Sequence, residues 1–121
     1  AENLFRKKLM ANIRSPREFW EMAQEETDPK QKIFYYRSIA QKYPDDKLAS
    51  QALFMVAFTY AEEIGDISFA RRAIKELLKK YPDSEIAESA KWLRDNLGTK
   101  ALKFDSVEEM EREMGKESQE N

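Results

Sequence analysis

Two stretches of this 121-residue chain carry the same stop signal: Lys42-Tyr43-Pro44-Asp45 recurs 38 positions later as Lys80-Tyr81-Pro82-Asp83. Each is a helix terminator, because the residue before a proline is pushed out of the α region and the proline cannot donate into a helical ladder. The likeness extends past the stop. Ala49 and Ala52 return as Ala87 and Ala90, and Ile39 is matched by Leu77. A stop signal followed by small residues at fixed spacing points to one supersecondary unit used twice, which is the signature of a helical solenoid.

Helix starts are legible between these stops. Ser15-Pro16-Arg17-Glu18 has the form of a capping box with proline in the first helical position, and Asp28-Pro29 repeats the device. Helices are therefore expected over 16–26 and from Asp28 to about residue 42. Asp46 caps a helix to about residue 63 that ends near Gly65, and Asp66 caps one running to residue 80. Ser84 caps one ending at Gly98, and Ser106-Val107-Glu108-Glu109 opens a short last helix that frays after Met114. A further helix over 3–13 would put Leu4, Phe5, Leu9 and Ile13 on one side. Three glycines and four prolines are too few to turn a sheet of this size, so the expected class is all-α.

Helix patterning orders the stack. Residues 52–61 are apolar almost all the way round, so this helix must be covered on several sides and should lie centrally. The helix at 84–98 instead carries one stripe, Ile86, Ala90, Leu93 and Leu97, opposite Glu88, Lys91, Arg94 and Asp95. A polar outer face suits a terminal, capping element.

Composition removes several functions. The chain has no histidine and no cysteine, which deprives it of the usual neutral-pH base, the commonest metal ligand and any disulfide. Ser15, Ser84 and Ser106 read as caps rather than nucleophiles. Neighbouring carboxylates such as Glu62 and Glu63 diverge by about 100° on a helix and do not share a site. No glycine-rich phosphate loop or calcium-loop spacing occurs. No enzyme activity, cofactor or metal is expected. A net charge of −2 with both signs interspersed lacks the basic stripe of a nucleic-acid binder. No apolar run reaches the ~20 residues that span a bilayer, and the opening residues lack the apolar core of a signal peptide. Of the adjacent Tyr35 and Tyr36, one must leave the core and is a surface candidate.

Residues 51–84 resemble a tetratricopeptide repeat. Phe54 stands at the large aromatic position of its first helix, Gly65-Asp66 at the inter-helix turn, Ala70 at the small position of the second helix, Leu77 at a packing position and Pro82 at the terminal proline. Phe58 and Ala61 depart from the glycine and tyrosine that the family prefers. Residues 13–46 resemble a more degenerate repeat, with Ile39 and Pro44 in place and Lys32 where a small residue is usual. The junction Lys-Tyr-Pro-Asp-Ser is similar to that of bacterial cell-envelope members, of the outer-membrane assembly lipoprotein and Tol-Pal coordinator types.

The resemblance implies antiparallel helix pairs stacked as a short right-handed solenoid of about six to seven helices. It would occupy residues 1–100, with repeats at about 13–46 and 51–84 and a capping helix at 84–98. Residues 101–121 would form an acidic extension, partly helical or flexible, whose apolar stripe Val107, Met110 and Met114 could dock on the domain or on a neighbour. Such a domain is expected to be a scaffold holding a protein or peptide partner, or alternatively a module for homo-oligomerisation. The sequence leaves the compartment open between the bacterial periplasm or cell envelope, to which the resemblance leans, and the cytoplasm. The family's partners lie along the concave face of the first helices, which here implies Arg17, Glu21 and Gln24 with Met55, Thr59 and Glu62. Met55, Thr59 and Glu62 depart from the family's basic carboxylate clamp, so the face would suit an amphipathic or basic segment.

Overall fold

A computed structural model describes residues 14–99, 104 and 106–120. Its helices are α1 (Pro16–Glu25), α2 (Pro29–Lys42), α3 (Leu48–Thr59), α4 (Ile67–Lys80), α5 (Ala87–Asn96) and α6 (Val107–Glu120), with a π-helical turn at Tyr60–Ile64. Among the described residues there is no strand, and the chain is an all-α helical repeat. The helix expected over 3–13 lies outside the described residues.

Most of these helices start where a side chain can satisfy the free N–H groups of the first turn. The Ser15 hydroxyl accepts from the Glu18 N–H at 3.1 Å, and the Glu18 carboxylate accepts from the Ser15 N–H at 3.3 Å, completing a capping box. Asp28 accepts from the Lys30 N–H at 3.1 Å, Asp66 from the Phe69 N–H at 3.0 Å and Ser106 from the Glu109 N–H at 3.2 Å. Ser84 departs from expectation. Its side chain makes no cap, and α5 begins three residues later at Ala87. Nor does α6 fray after Met114, for it continues to Glu120.

The expected helix to residue 63 changes pitch instead. After Thr59 the chain widens into the π turn, closed by the Asp66 N–H donating to the Tyr60 carbonyl at 2.8 Å. Gly65, at φ 81°, makes the left-handed exit that a side chain would strain. Tyr60 stacks on Phe69 across this turn with ring centroids 5.2 Å apart.

Packing follows the apolar pattern. Helix α3 sits between α2 and α4 and reaches α1, and its residues 52–54 and 56–59 are all buried. Helix α4 offers Ala70, Ala73, Ile74 and Leu77, the i, i+3, i+4, i+7 stripe of an amphipathic helix, while Arg71, Arg72, Lys75 and Lys79 remain exposed. Each fully buried side chain such as Phe54 or Leu77 stabilises the stack by about 1.5–3 kcal/mol. Helix α5 buries Ala87, Ala90 and Leu93 and turns Glu88, Lys91, Arg94 and Asp95 outward. Two tyrosines tie successive units together. Tyr43 donates its hydroxyl to the Arg14 carbonyl at 2.6 Å, and Tyr81 donates to the Pro44 carbonyl at 2.7 Å. Of the adjacent tyrosines, Tyr36 is in the core and Tyr35 is half-buried, while the exposed ring is their neighbour Phe34.

Helix α6 is seated on the stack by the stripe noticed in the sequence. Met110 is fully buried and joins the main core, with Val107 and Met114 packed against it. Phe104, just before the helix, packs on Trp92 of α5 at 5.9 Å between ring centroids. Its N–H donates to the Glu62 carboxylate at 2.8 Å.

Candidate functional site

A cavity of about 450 Å³ opens where α1, α3 and the first turn of α6 face one another. Its floor is apolar: Ala23 from α1 with Phe54, Met55 and Phe58 from α3. Phe54 and Phe58, one helical turn apart, lie stacked at 6.3 Å. Val107 from α6 and Ile86 from the turn before α5 continue the apolar lining.

One wall is aromatic and polar. Trp20 meets Tyr36 edge to face, with centroids 5.1 Å apart and ring planes at 70°. The Gln24 amide donates to the Tyr36 hydroxyl at 2.7 Å, which fixes both side chains. Burial raises the Tyr36 phenol above its ordinary pKa, the Gln24 hydrogen bond pulls it the other way, and the Glu63 carboxylate adds to the rise. This phenol therefore stays neutral through the physiological range and works as a hydrogen-bonding group. Lys32 of α2 holds Glu63 of the π turn, with its ammonium 3.1 and 3.2 Å from the two carboxylate oxygens. Glu108 and Glu111 line the α6 side.

The six sequence-derived candidates separate in space. Gln24, Met55 and Thr59 line the cavity together. Thr59 does so from below: it is 1% exposed, and its hydroxyl donates to the Met55 carbonyl at 2.7 Å, so it offers no polar group to a partner. Arg17 and Glu21 pair with each other at 3.7 Å on the exposed outside of α1. Glu62 turns toward Phe104. The cause of the separation is angular. Positions 17, 21 and 24 form one stripe of α1, whereas the cavity is lined by 20, 23 and 24, a stripe rotated toward α2. The π turn shifts the register after Thr59, so Glu63 rather than Glu62 lines the cavity.

Trp20, Lys32, Tyr36 and Glu63 also line the cavity and were not among the six sequence-derived candidates. For Trp20 the signal was present, since it shares the i, i+3, i+4 stripe with Ala23 and Gln24. Lys32 and Glu63 meet only through the tertiary fold. Among the described residues no cluster of acidic groups could hold a metal ion, and no helix is long and apolar enough to cross a membrane.

Residues 51–84 match the tetratricopeptide repeat family model. The match spans one repeat, from the second turn of α3 to the turn after α4, and supports the tetratricopeptide family. With the stack of helices around it, it defines an all-α, tetratricopeptide-like helical-repeat domain. Repeats of this family generally mediate protein–protein interactions. No curated protein matches the chain, and no solved structure does.

Proposed function

We propose that this domain is a protein–protein interaction scaffold that holds a polypeptide segment in the groove between α1, α3 and α6, and that it performs no catalysis. The observation that carries the reading is the cavity itself: apolar floor residues from helices distant in sequence converge with the fixed polar pair Gln24 and Tyr36. A concave site lined mostly by apolar side chains, with a few positioned polar groups, is built to take a side-chain-bearing segment. The similarity of the Lys-Tyr-Pro-Asp-Ser junction to cell-envelope members makes an envelope assembly the first setting in which to seek the partner.

Met55→Lys tests the groove. Met55 is half-buried, and lysine can run its stem along the same path with its ammonium in the cavity, so the fold should persist. The partner's affinity should fall by about tenfold or more, as for a central interface residue. Isothermal titration against a partner captured from cell extract on the unaltered domain, with thermal melting as the folding control, decides this. Unchanged affinity in a folded variant would remove the groove from consideration.

Self-assembly is the second reading, and it has its own observation. Phe34, Ile64 and Phe69 are 55%, 37% and 44% exposed, apolar surface that a second copy of the chain would cover. Light scattering of the isolated chain separates the two, since a stable oligomer indifferent to partner and to Met55→Lys supports self-assembly.

A further inference from the structure

We infer that helix α6 is a working wall of the groove and supplies its charge, so that the segment bound there carries lysine or arginine beside its apolar residues. This rests on the groove proposed above as the binding site. Three observations carry it. First, α6 is fixed rather than draped: Met110 is fully buried in the core, and Phe104 is held by Trp92 and by the Glu62 carboxylate. Second, the helix turns a different stripe to the cavity. Val107, Glu108 and Glu111 line it, while Met110 and Met114 pack inward.

Third, the charges in the cavity do not balance. The charged lining groups are Lys32, Glu63, Glu108 and Glu111, one positive against three negative. Lys32 is committed to Glu63, which faces it from the π turn at 3.1 Å. Glu108 and Glu111 are exposed and have no ion-pair partner among the described residues. Two carboxylates without an ion-pair partner among the described residues thus stand at the edge of an apolar floor, one helical turn apart on one helix. Electrostatic complementarity there selects a cationic side chain and disfavours an anionic one. The partner is accordingly an amphipathic segment of another protein whose polar side is basic. Helix α6 sets which segments enter, and the α1 and α3 floor sets how strongly they are held.

The test uses the full chain and two synthetic amphipathic peptides with identical apolar residues, one bearing lysine and the other glutamate at its polar positions. Fluorescence anisotropy measures each at low and at raised salt. The unaltered chain should prefer the lysine peptide by roughly fivefold to tenfold, the scale of two partly screened charge pairs, and salt should shrink the preference. The double reversal Glu108→Lys with Glu111→Lys should abolish or invert it. The isosteric pair Glu108→Gln with Glu111→Gln, which spares the helix a reversed charge in its first turn, should remove most of it. A control reversal of the same net charge, Glu85→Lys with Glu88→Lys on exposed positions around the start of α5, should leave it nearly intact.

Equal loss in the control means the preference is a property of net charge and overturns the assignment to α6. If both peptides bind equally and Met55→Lys abolishes both, the groove stands and its charge selectivity falls. If neither peptide binds the unaltered chain, the inference falls, and the groove is judged separately on its own partner.

Discussion

The junctions at 42–45 and 80–83 have the same four residues and fold into the same backbone, yet they launch the next helix differently. Tyr43 and Tyr81 end α2 and α4 at φ −131°, ψ 57° and φ −132°, ψ 57°. In each the residue after the motif closes a turn back to the tyrosine carbonyl, Asp46 at 3.0 Å and Ser84 at 3.2 Å. Each then receives the N–H of the residue three further on, Ala49 at 2.9 Å and Ala87 at 3.1 Å. The side chains diverge. The Asp46 carboxylate accepts from the Leu48 N–H at 2.9 Å, and α3 begins at Leu48. The Ser84 hydroxyl is buried without a partner, although it stands in the equivalent position. Aspartate carries its oxygen one atom further from the backbone and brings a charge to the free N–H groups, whereas a serine hydroxyl makes the same local turn more weakly. The repeat motif dictates the backbone turn, while the residue after it decides whether a side chain meets the first N–H of the next helix; the N-cap residues themselves, Lys47 and Ile86, make no side-chain cap in either case.

The sharpest way to break the comparison is through the core positions that the junctions share. Ile39 and Leu77 occupy equivalent places one period apart, and both are fully buried. Ile39→Ala and Leu77→Ala should each destabilise by about 2–5 kcal/mol and by similar amounts, as measured by urea denaturation. A large inequality would mean that the two units are not equivalent in packing.

The caps should give a smaller and deliberately unequal pair. Asp46→Ala loses a made hydrogen bond and should cost about 0.5–2 kcal/mol. Ser84→Ala removes a buried hydroxyl with nothing to lose, so its effect should lie within about 0.5 kcal/mol of zero or be stabilising. If Ser84→Ala cost as much as Asp46→Ala, the reading of that turn would be wrong.

The tyrosines come last. Tyr43→Phe breaks a partly buried hydrogen bond and should cost about 1 kcal/mol, and Tyr81→Phe, whose bond is exposed, should cost less. Alkaline titration adds a check. Burial chiefly raises the Tyr81 phenol above its ordinary value of 10.0, with Lys80 lowering it and Asp45 and Glu76 raising it. The unfolded chain then loses this proton first, so the contribution is complete below pH 10 and is lost as pH rises through the folded value. Tyr81→Phe should flatten that part of the stability profile, which melting between pH 9 and 11 would register.

What the chain determined by itself is the local code: the capping boxes and aspartate caps, the two Tyr-Pro stops, and the rank of the helices from the all-round apolar α3 to the one-striped α5. These are contacts among residues within four positions of one another, so spacing alone reveals them. The resemblance to a tetratricopeptide repeat over 51–84 rests on the same short-range pattern. Only the tertiary structure decided which stripe of α1 faces the cavity, why Glu63 lines it while Glu62 serves Phe104, and that α6 is seated by Met110. Each depends on a rotation of a few tens of degrees or on partners tens of residues apart, as with Lys32 and Glu63 or Glu62 and Phe104. Helical periodicity fixes which residues share a face, but the direction of that face is set by what the neighbouring helices leave open.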